Sequence, residues 1–194
     1  MAEEIIKLAQ VEPNYEKYPY VTADTETTGF GDYDEVIEVT ITEHNEKGET
    51  GAMIHYMCEP LKGYIPESAS KVNGIKWEDV EGQPNYLTGG VREECSEFIG
   101  QRTFVAHNAP FDIRMMKIQP ADVYDTLDEA RKVFHNKRSR KLKDVCGYIG
   151  IPWDDELAHR ASYDVEQTIK VFTYFNNPEN LMILLENPIQ QSLL

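Results

Sequence analysis

Positive charge is scarce in this sequence. Its 194 residues include 19 Lys and Arg against 34 Asp and Glu, a formal net charge of −15 at pH 7. Phosphate-rich partners are normally met by Lys and Arg, so this balance works against nucleic acid or an anionic membrane unless cations are concentrated locally. Cysteine is rarer still. Cys58, Cys95 and Cys146 are odd in number, far apart and without a C-x-x-C pair. That pattern argues against a disulfide framework or a cysteine-based zinc cluster and points to a reducing compartment. Long apolar runs are missing too, since no stretch approaches the roughly 18 residues of a membrane span. The first residues, "MAEEIIKLAQ", set Glu3 and Glu4 ahead of a short apolar patch, unlike the basic-then-apolar order of a signal peptide. The expectation is a cytoplasmic protein with no membrane partner.

What is present is ordinary globular composition, 41% hydrophobic and 27% charged, in a chain of a length suited to one well-cored domain. The pattern divides into an N-terminal extension (residues 1–18), a body (19–176) and a tail (177–194) expected to be helical and docked. "YPYVTADTE" predicts a first strand from about Pro19 to Thr25. "DEVIEVTITEH" alternates apolar and polar residues from Val36 to Thr42, and "ETGAMIHYMCE" follows the turn "NEKG", so the three segments read as a meander. "IPESASKVNGI" predicts a short helix stopped by Gly74, and "LTGGVREECSEFIG" an amphipathic helix stopped by Gly100. "RTFVAHN" is a short buried strand leading into the helix "APFDIRMMKI", with Pro110 in its first turn. A second strand-to-helix unit, "ADVYDTLDEARKVF", precedes the helices "KLKDVCGYIG" and "YDVEQTIKVFTYF". A meander followed by alternating strands and helices predicts an α/β domain, a mixed central β-sheet flanked by α-helices.

In "VTADTETTGF" two carboxylates stand one residue apart inside a strand pattern. Residues i and i+2 of a strand share a face, so Asp24 and Glu26 point together. Two like charges about 4 Å apart repel by roughly 4 kcal/mol at an effective dielectric near 20, so a half-buried pair calls for a cation. Further acids and an imidazole stand where elements change: Asp112 in "HNAPFD", then His159 and Asp164 in "HRASYD".

Taken in order, "DTETTG", "HNAPFD" and "HRASYD" resemble the three exonuclease motifs of the DEDDh branch of the DnaQ-like exonucleases, which includes the proofreading epsilon subunit of bacterial DNA polymerase. The resemblance extends over roughly residues 19 to 176, with "ASKVNGI" and "VYDTLDEARKVF" similar to family segments between the motifs. His159 lies five residues before Asp164, whereas the family's other branch has a Tyr four before, a position held here by Arg160. The resemblance implies a ribonuclease-H-like exonuclease fold and a metal-dependent 3′-to-5′ exonuclease that releases nucleoside 5′-monophosphates from single-stranded ends. DNA is favoured over RNA as substrate, with an exoribonuclease of the ribonuclease T or oligoribonuclease type as the alternative. A polymerase-binding accessory subunit with little catalysis is the reading from another class. Against it, the five motif residues are complete, and about eighteen residues follow the last helix where the epsilon subunit carries a longer polymerase-binding tail. A double-strand endonuclease of the broader fold is disfavoured by the His159 motif.

The chemistry of these side chains agrees. Four carboxylates, Asp24, Glu26, Asp112 and Asp164, are hard oxygen ligands suited to Mg²⁺ or Mn²⁺, where zinc would prefer His and Cys. Two such ions activate a water and steady the leaving oxygen in attack at phosphorus. His159, whose imidazole can accept a proton, is the candidate general base. Thr27, Thr28, Phe30 and Asn108 are candidates for holding the terminal nucleotide, and His107 and Asp125 for supporting the site through hydrogen bonds. The needed local positive charge lies in "RKVFHNKRSRKLK", Arg131 to Lys143, with seven Lys or Arg in thirteen residues and no acid. Within it Lys137, Arg138 and Arg140 are expected to form a rim that draws in the phosphate backbone of a single strand with a free 3′ end.

Overall fold

The computed structural model describes residues 14–180 and Met182. Its strands are β1 (Tyr20–Thr27), β2 (Val36–His44), β3 (Thr50–Met57), β4 (Thr103–Ala106) and β5 (Asp122–Asp125). They form one sheet in the order β3-β2-β1-β4-β5. The meander supplies the antiparallel half, β3-β2-β1, and the crossover units add β4 and β5 in parallel. The sheet is therefore mixed, as its sequence pattern predicts. β1 runs two residues past its expected end, which keeps Glu26 in the ladder opposite Glu38.

The helices are α1 (Glu67–Asn73), α2 (Trp77–Val80), α3 (Val91–Ile99), α4 (Ala109–Met116), α5 (Thr126–Val133), α6 (Leu142–Tyr148) and α7 (Ala161–Asn176). Gly74 closes α1 and Gly100 closes α3, both at positive φ, where a glycine meets no Cβ penalty. Only α2 is absent from the sequence reading, because a single turn is too short to show a period.

One face of the sheet is apolar. Val21, Ala23, Val39, Ile41 and Phe104 pack with residues of α3 and α4, among them Cys95, Phe98, Met115 and Met116. The other face carries Thr22, Glu38, Thr40 and His44, all fully buried. Strict alternation is the pattern of a strand with one wet face, yet every residue of β2 is buried. The reason is α7, which lies across this polar face. Its Phe172 ring stands 4.7 Å from Tyr20, 5.0 Å from His44 and 4.9 Å from Tyr124. His44 is held neutral there, its pKa pushed down to about 4 by burial, with Nε2 2.7 Å from the Thr22 hydroxyl.

The ends of the chain add two observations. Arg102 stacks between the rings of Tyr15 (4.8 Å) and Phe98 (4.7 Å) and pairs with buried Glu43, so packing on the body begins by Tyr15. At the other end residues 178–180 are helical. Apart from Met182, the remainder of the expected tail helix, like residues 1–13 of the expected extension, lies outside the described residues.

Phe172 fastens α7 to three strands. Phe172→Ala should lower unfolding stability by about 3–5 kcal/mol, read as a fall in the urea midpoint with unchanged slope. A loss below 1 kcal/mol would mean that α7 is held elsewhere.

Candidate active site

Asp24 and Glu26 are both half-buried and point from β1 to the α7 side, opposite Thr40 and Glu38 of β2. Asp112 enters from the first turn of α4 and is 3% exposed. The hydroxyl of Thr25, the residue between the two β1 acids, donates to Asp112 Oδ1 at 2.9 Å and fixes its rotamer. Asp164 enters from the first turn of α7 and is buried, its Oδ1 without a hydrogen-bond partner. His159 is exposed just before α7. Its ring nitrogen and the carboxylates of Glu26 and Asp164 come within 4.8 Å of one another.

These acids repel. Burial first, then Asp112, Glu26, Asp164 and Glu38, hold Asp24 well above the usual carboxylate range. Burial and the charges of Asp164 and Glu38 push Glu26 up to about 9. Burial raises Asp112 to about 7 and Asp164 to about 6. Among the described residues no Lys or Arg forms an ion pair with any of the four, and Arg160, at the start of α7, pairs with Glu38. A buried oxygen without a donor, four carboxylates with an imidazole beside them, and no ion-paired Lys or Arg among the described residues together suit a divalent metal ion.

The supporting residues have defined places. The Thr27 hydroxyl donates to the Gly29 carbonyl at 2.6 Å, and that of Thr28 to Asp34 Oδ1 at 3.0 Å, so both hydroxyls close the loop after β1. A Cβ at Gly29 would run into the Asp34 carboxylate, which would have to shift to admit it. Phe30 is 78% exposed at the loop tip, its ring 5.8 Å from Phe111, and Arg114 Nη2 donates to its carbonyl at 3.0 Å. Asn108 is exposed, with a left-handed backbone at φ 84. Its N–H and that of Leu127 both donate to Asp125 Oδ1, at 3.0 and 2.9 Å, so Asp125 caps α5 and ties it to the start of α4.

His107 Nε2 lies 2.8 Å from the Arg140 carbonyl and Nδ1 2.9 Å from the Thr126 hydroxyl. A carbonyl only accepts, so Nε2 carries the proton. This bond fastens the basic segment to the β4–α4 corner. Within the segment Arg131, Lys132 and Lys143 pair with Asp128, Glu129 and Asp155. Arg140, grouped with the rim by its sequence, instead donates to the Phe134 and His135 carbonyls at 3.1 and 2.6 Å and braces the loop. Lys137, Arg138 and Lys141 are left without a carboxylate partner among the described residues.

Glu38 and Asn73 are site neighbours that sequence reasoning missed. Asn73 is buried, donates to the Thr27 carbonyl at 3.5 Å, and lies close enough to Glu26 to offset part of the rise in that carboxylate's pKa. Its signal was the "ASKVNGI" segment, where an amide precedes the helix-stopping glycine.

A family model described as "Exonuclease" (RNase_T) matches residues 21–172, and the chain belongs to that family. It is similar to the DNA polymerase III epsilon subunit of Pasteurella multocida, 27% identical over 201 residues, covering 89% of this chain and 78% of the relative. It is 30% identical over 164 residues to the PolC-type DNA polymerase III of Clostridium perfringens, spanning 80% of this chain but only 11% of that protein. Among solved structures, E. coli exonuclease I bound to single-stranded DNA superposes with a TM-score of 0.67 at 16% identity, covering 87% of this chain and 42% of the other. Exonuclease X in complex with 5′-overhanging duplex DNA gives 0.64 at 18% identity, covering 85% and 98%. Those likenesses agree with the ribonuclease-H-like exonuclease fold expected from sequence. No helix among the described residues is long and apolar enough to cross a membrane.

Groups whose folded pKa is raised stabilise fully below the unfolded value and lose that contribution as pH rises through the folded one. For Glu26 the window runs from about 4.5 to about 9. In EDTA the unfolding temperature should therefore fall between pH 6.5 and 8.5, above the range in which His44 titrates. Mg²⁺ or Mn²⁺ should restore it, by about 2–4 °C for each kcal/mol of repulsion relieved. A metal-insensitive profile would count against a cation site here.

Proposed function

We propose that the chain is a metal-dependent 3′-to-5′ exonuclease of the DEDDh type, acting on single-stranded ends, with DNA favoured. The observation that carries this reading is the convergence of Asp24, Glu26, Asp112 and Asp164 from β1, α4 and α7, without an ion-paired Lys or Arg among the described residues and with His159 beside Glu26 and Asp164. These four side chains would hold the divalent ions. Bound there, Mg²⁺ or Mn²⁺ supplies a lowered water pKa and neutralises charge on the phosphate.

The chain's own residues do the rest. His159 takes the proton of the attacking water, a role its exposure and its nearness to Glu26 and Asp164 allow. Thr25 keeps Asp112 turned to the site. Phe30, beside Phe111 and Arg114, offers a ring on which a terminal base can stack. The exposed Asn108 stands at the edge of the same site. Lys137 and Arg138 meet the backbone of the incoming strand, which answers the chain's overall negative charge.

The preference for DNA draws on the relatives named DNA polymerase III and on the DNA complexes of exonuclease I and exonuclease X. The coverage of 78% of an epsilon subunit keeps proofreading beside a polymerase as a second reading.

The test is a 5′-labelled single-stranded DNA, and the matching RNA, incubated with Mg²⁺, Mn²⁺ or EDTA. A metal-dependent ladder is expected, with the DNA shortening faster. Asp24→Ala should abolish it, and His159→Ala should slow it by about 10²- to 10⁴-fold. Full activity in either variant would refute the mechanism.

Lys137→Ala with Arg138→Ala should weaken binding and reduce the slope of log affinity against log salt by about 1.4, two single-strand phosphate contacts. Arg140→Ala should instead loosen the loop. An unchanged slope in the double variant would remove the rim from the binding surface.

A further inference from the structure

We infer that Glu38, a residue with no assigned role, is the positioning residue for His159. The inference rests on the exonuclease reading above and adds to it the means by which the general base is held.

Three observations lead to it. His159 has φ 64, in the left-handed region, which costs a residue with a Cβ roughly 1–2 kcal/mol and persists only when neighbours enforce it. The helix that follows, α7, has Arg160 at its N-cap and no side-chain cap of its own, although its first N–H groups need acceptors. The missing acceptor comes from across the sheet. Glu38 Oε2 accepts from the Ala161 N–H at 3.3 Å, and Oε1 from Arg160 Nη2 at 3.2 Å.

Glu38 thus grips both residues directly after His159 with its two carboxylate oxygens. It is completely buried, on a central strand paired to β1, and so forms a rigid anchor. Its negative charge also suits the positive end of α7. Its position beside Glu26 is that of a further metal ligand. Its hydrogen bonds instead commit it to the helix start.

A residue that acts through His159 has an effect that vanishes when His159 is gone. Single-turnover cleavage of labelled single-stranded DNA at saturating Mn²⁺ should therefore be measured for Glu38→Ala, His159→Ala and the double variant. Glu38→Ala alone should lower the rate about 10- to 100-fold with substrate affinity changed less than threefold. In the His159→Ala background the same change should cost less than threefold. Glu38→Gln, which keeps one acceptor for the Ala161 N–H and loses the other to an NH2 donor, should recover part of the rate. If Glu38→Ala fails to fold, Arg160→Ala takes its place in the cycle, with the same non-additivity expected.

Additive losses, or a Glu38→Ala defect relieved by more Mn²⁺, would overturn the inference and make Glu38 part of the carboxylate site. An unaltered rate in Glu38→Ala would overturn it too. If His159→Ala itself retains full activity, the fault lies with the general-base assignment, which separates that failure from failure of the positioning role.

Discussion

Mutual repulsion among Asp24, Glu26, Asp112 and Asp164 is the constraint around which the molecule is built. Each pair at close range costs on the order of a few kcal/mol at an effective dielectric near 20, against a total stability of roughly 5–15 kcal/mol for a domain. No protein cation offsets that cost among the described residues. It is borne by packing: the apolar core under α3 and α4 on one side of the sheet, and the aromatic contacts of Phe172 on the other. Stability is thus drawn from the sheet's interior and released at its end, where a ligand carrying positive charge can recover it.

The same constraint explains the polar layer beneath α7. Side chains that share a strand face with Asp24 and Glu26 lead back from a charged site, and Thr22, Thr40 and His44 grade the change from carboxylate to aromatic core. An all-apolar face would have placed the acids against hydrocarbon, where an unpaired charge costs far more. Thr25 makes a further adjustment by donating a hydrogen bond to Asp112, and Asn73 lowers the pKa of neighbouring Glu26 against the rise caused by burial.

Much of this was legible before any coordinates. The motif acids announce themselves because charged pairs are improbable in buried strands, and their order along the chain supplies the rest. Strand and helix positions followed from period and from glycine stops. Three things stayed hidden, for physical reasons. Alternation in β2 says which residues share a face, not whether a helix covers it, so the burial of Glu38 leaves no mark in the sequence. Composition says that "RKVFHNKRSRKLK" is basic, not that Arg140 folds back on Phe134 and His135 while three other cations take carboxylate partners. A cap supplied from a strand over a hundred positions away leaves no local trace at α7.

That last bond has a consequence for how the molecule comes to be active. Ala161 and Glu38 are separated by 123 positions, and Thr25 and Asp112 by 87. Contacts of such separation close late, after the entropy of large loops has been overcome. A chain emerging during synthesis has Asp24 and Glu26 long before it has His159, and the bond from Ala161 to Glu38 forms only when β2 and α7 meet. On the proposed reading a partly folded molecule lacks the complete site, which is assembled only once the sheet and α7 have come together.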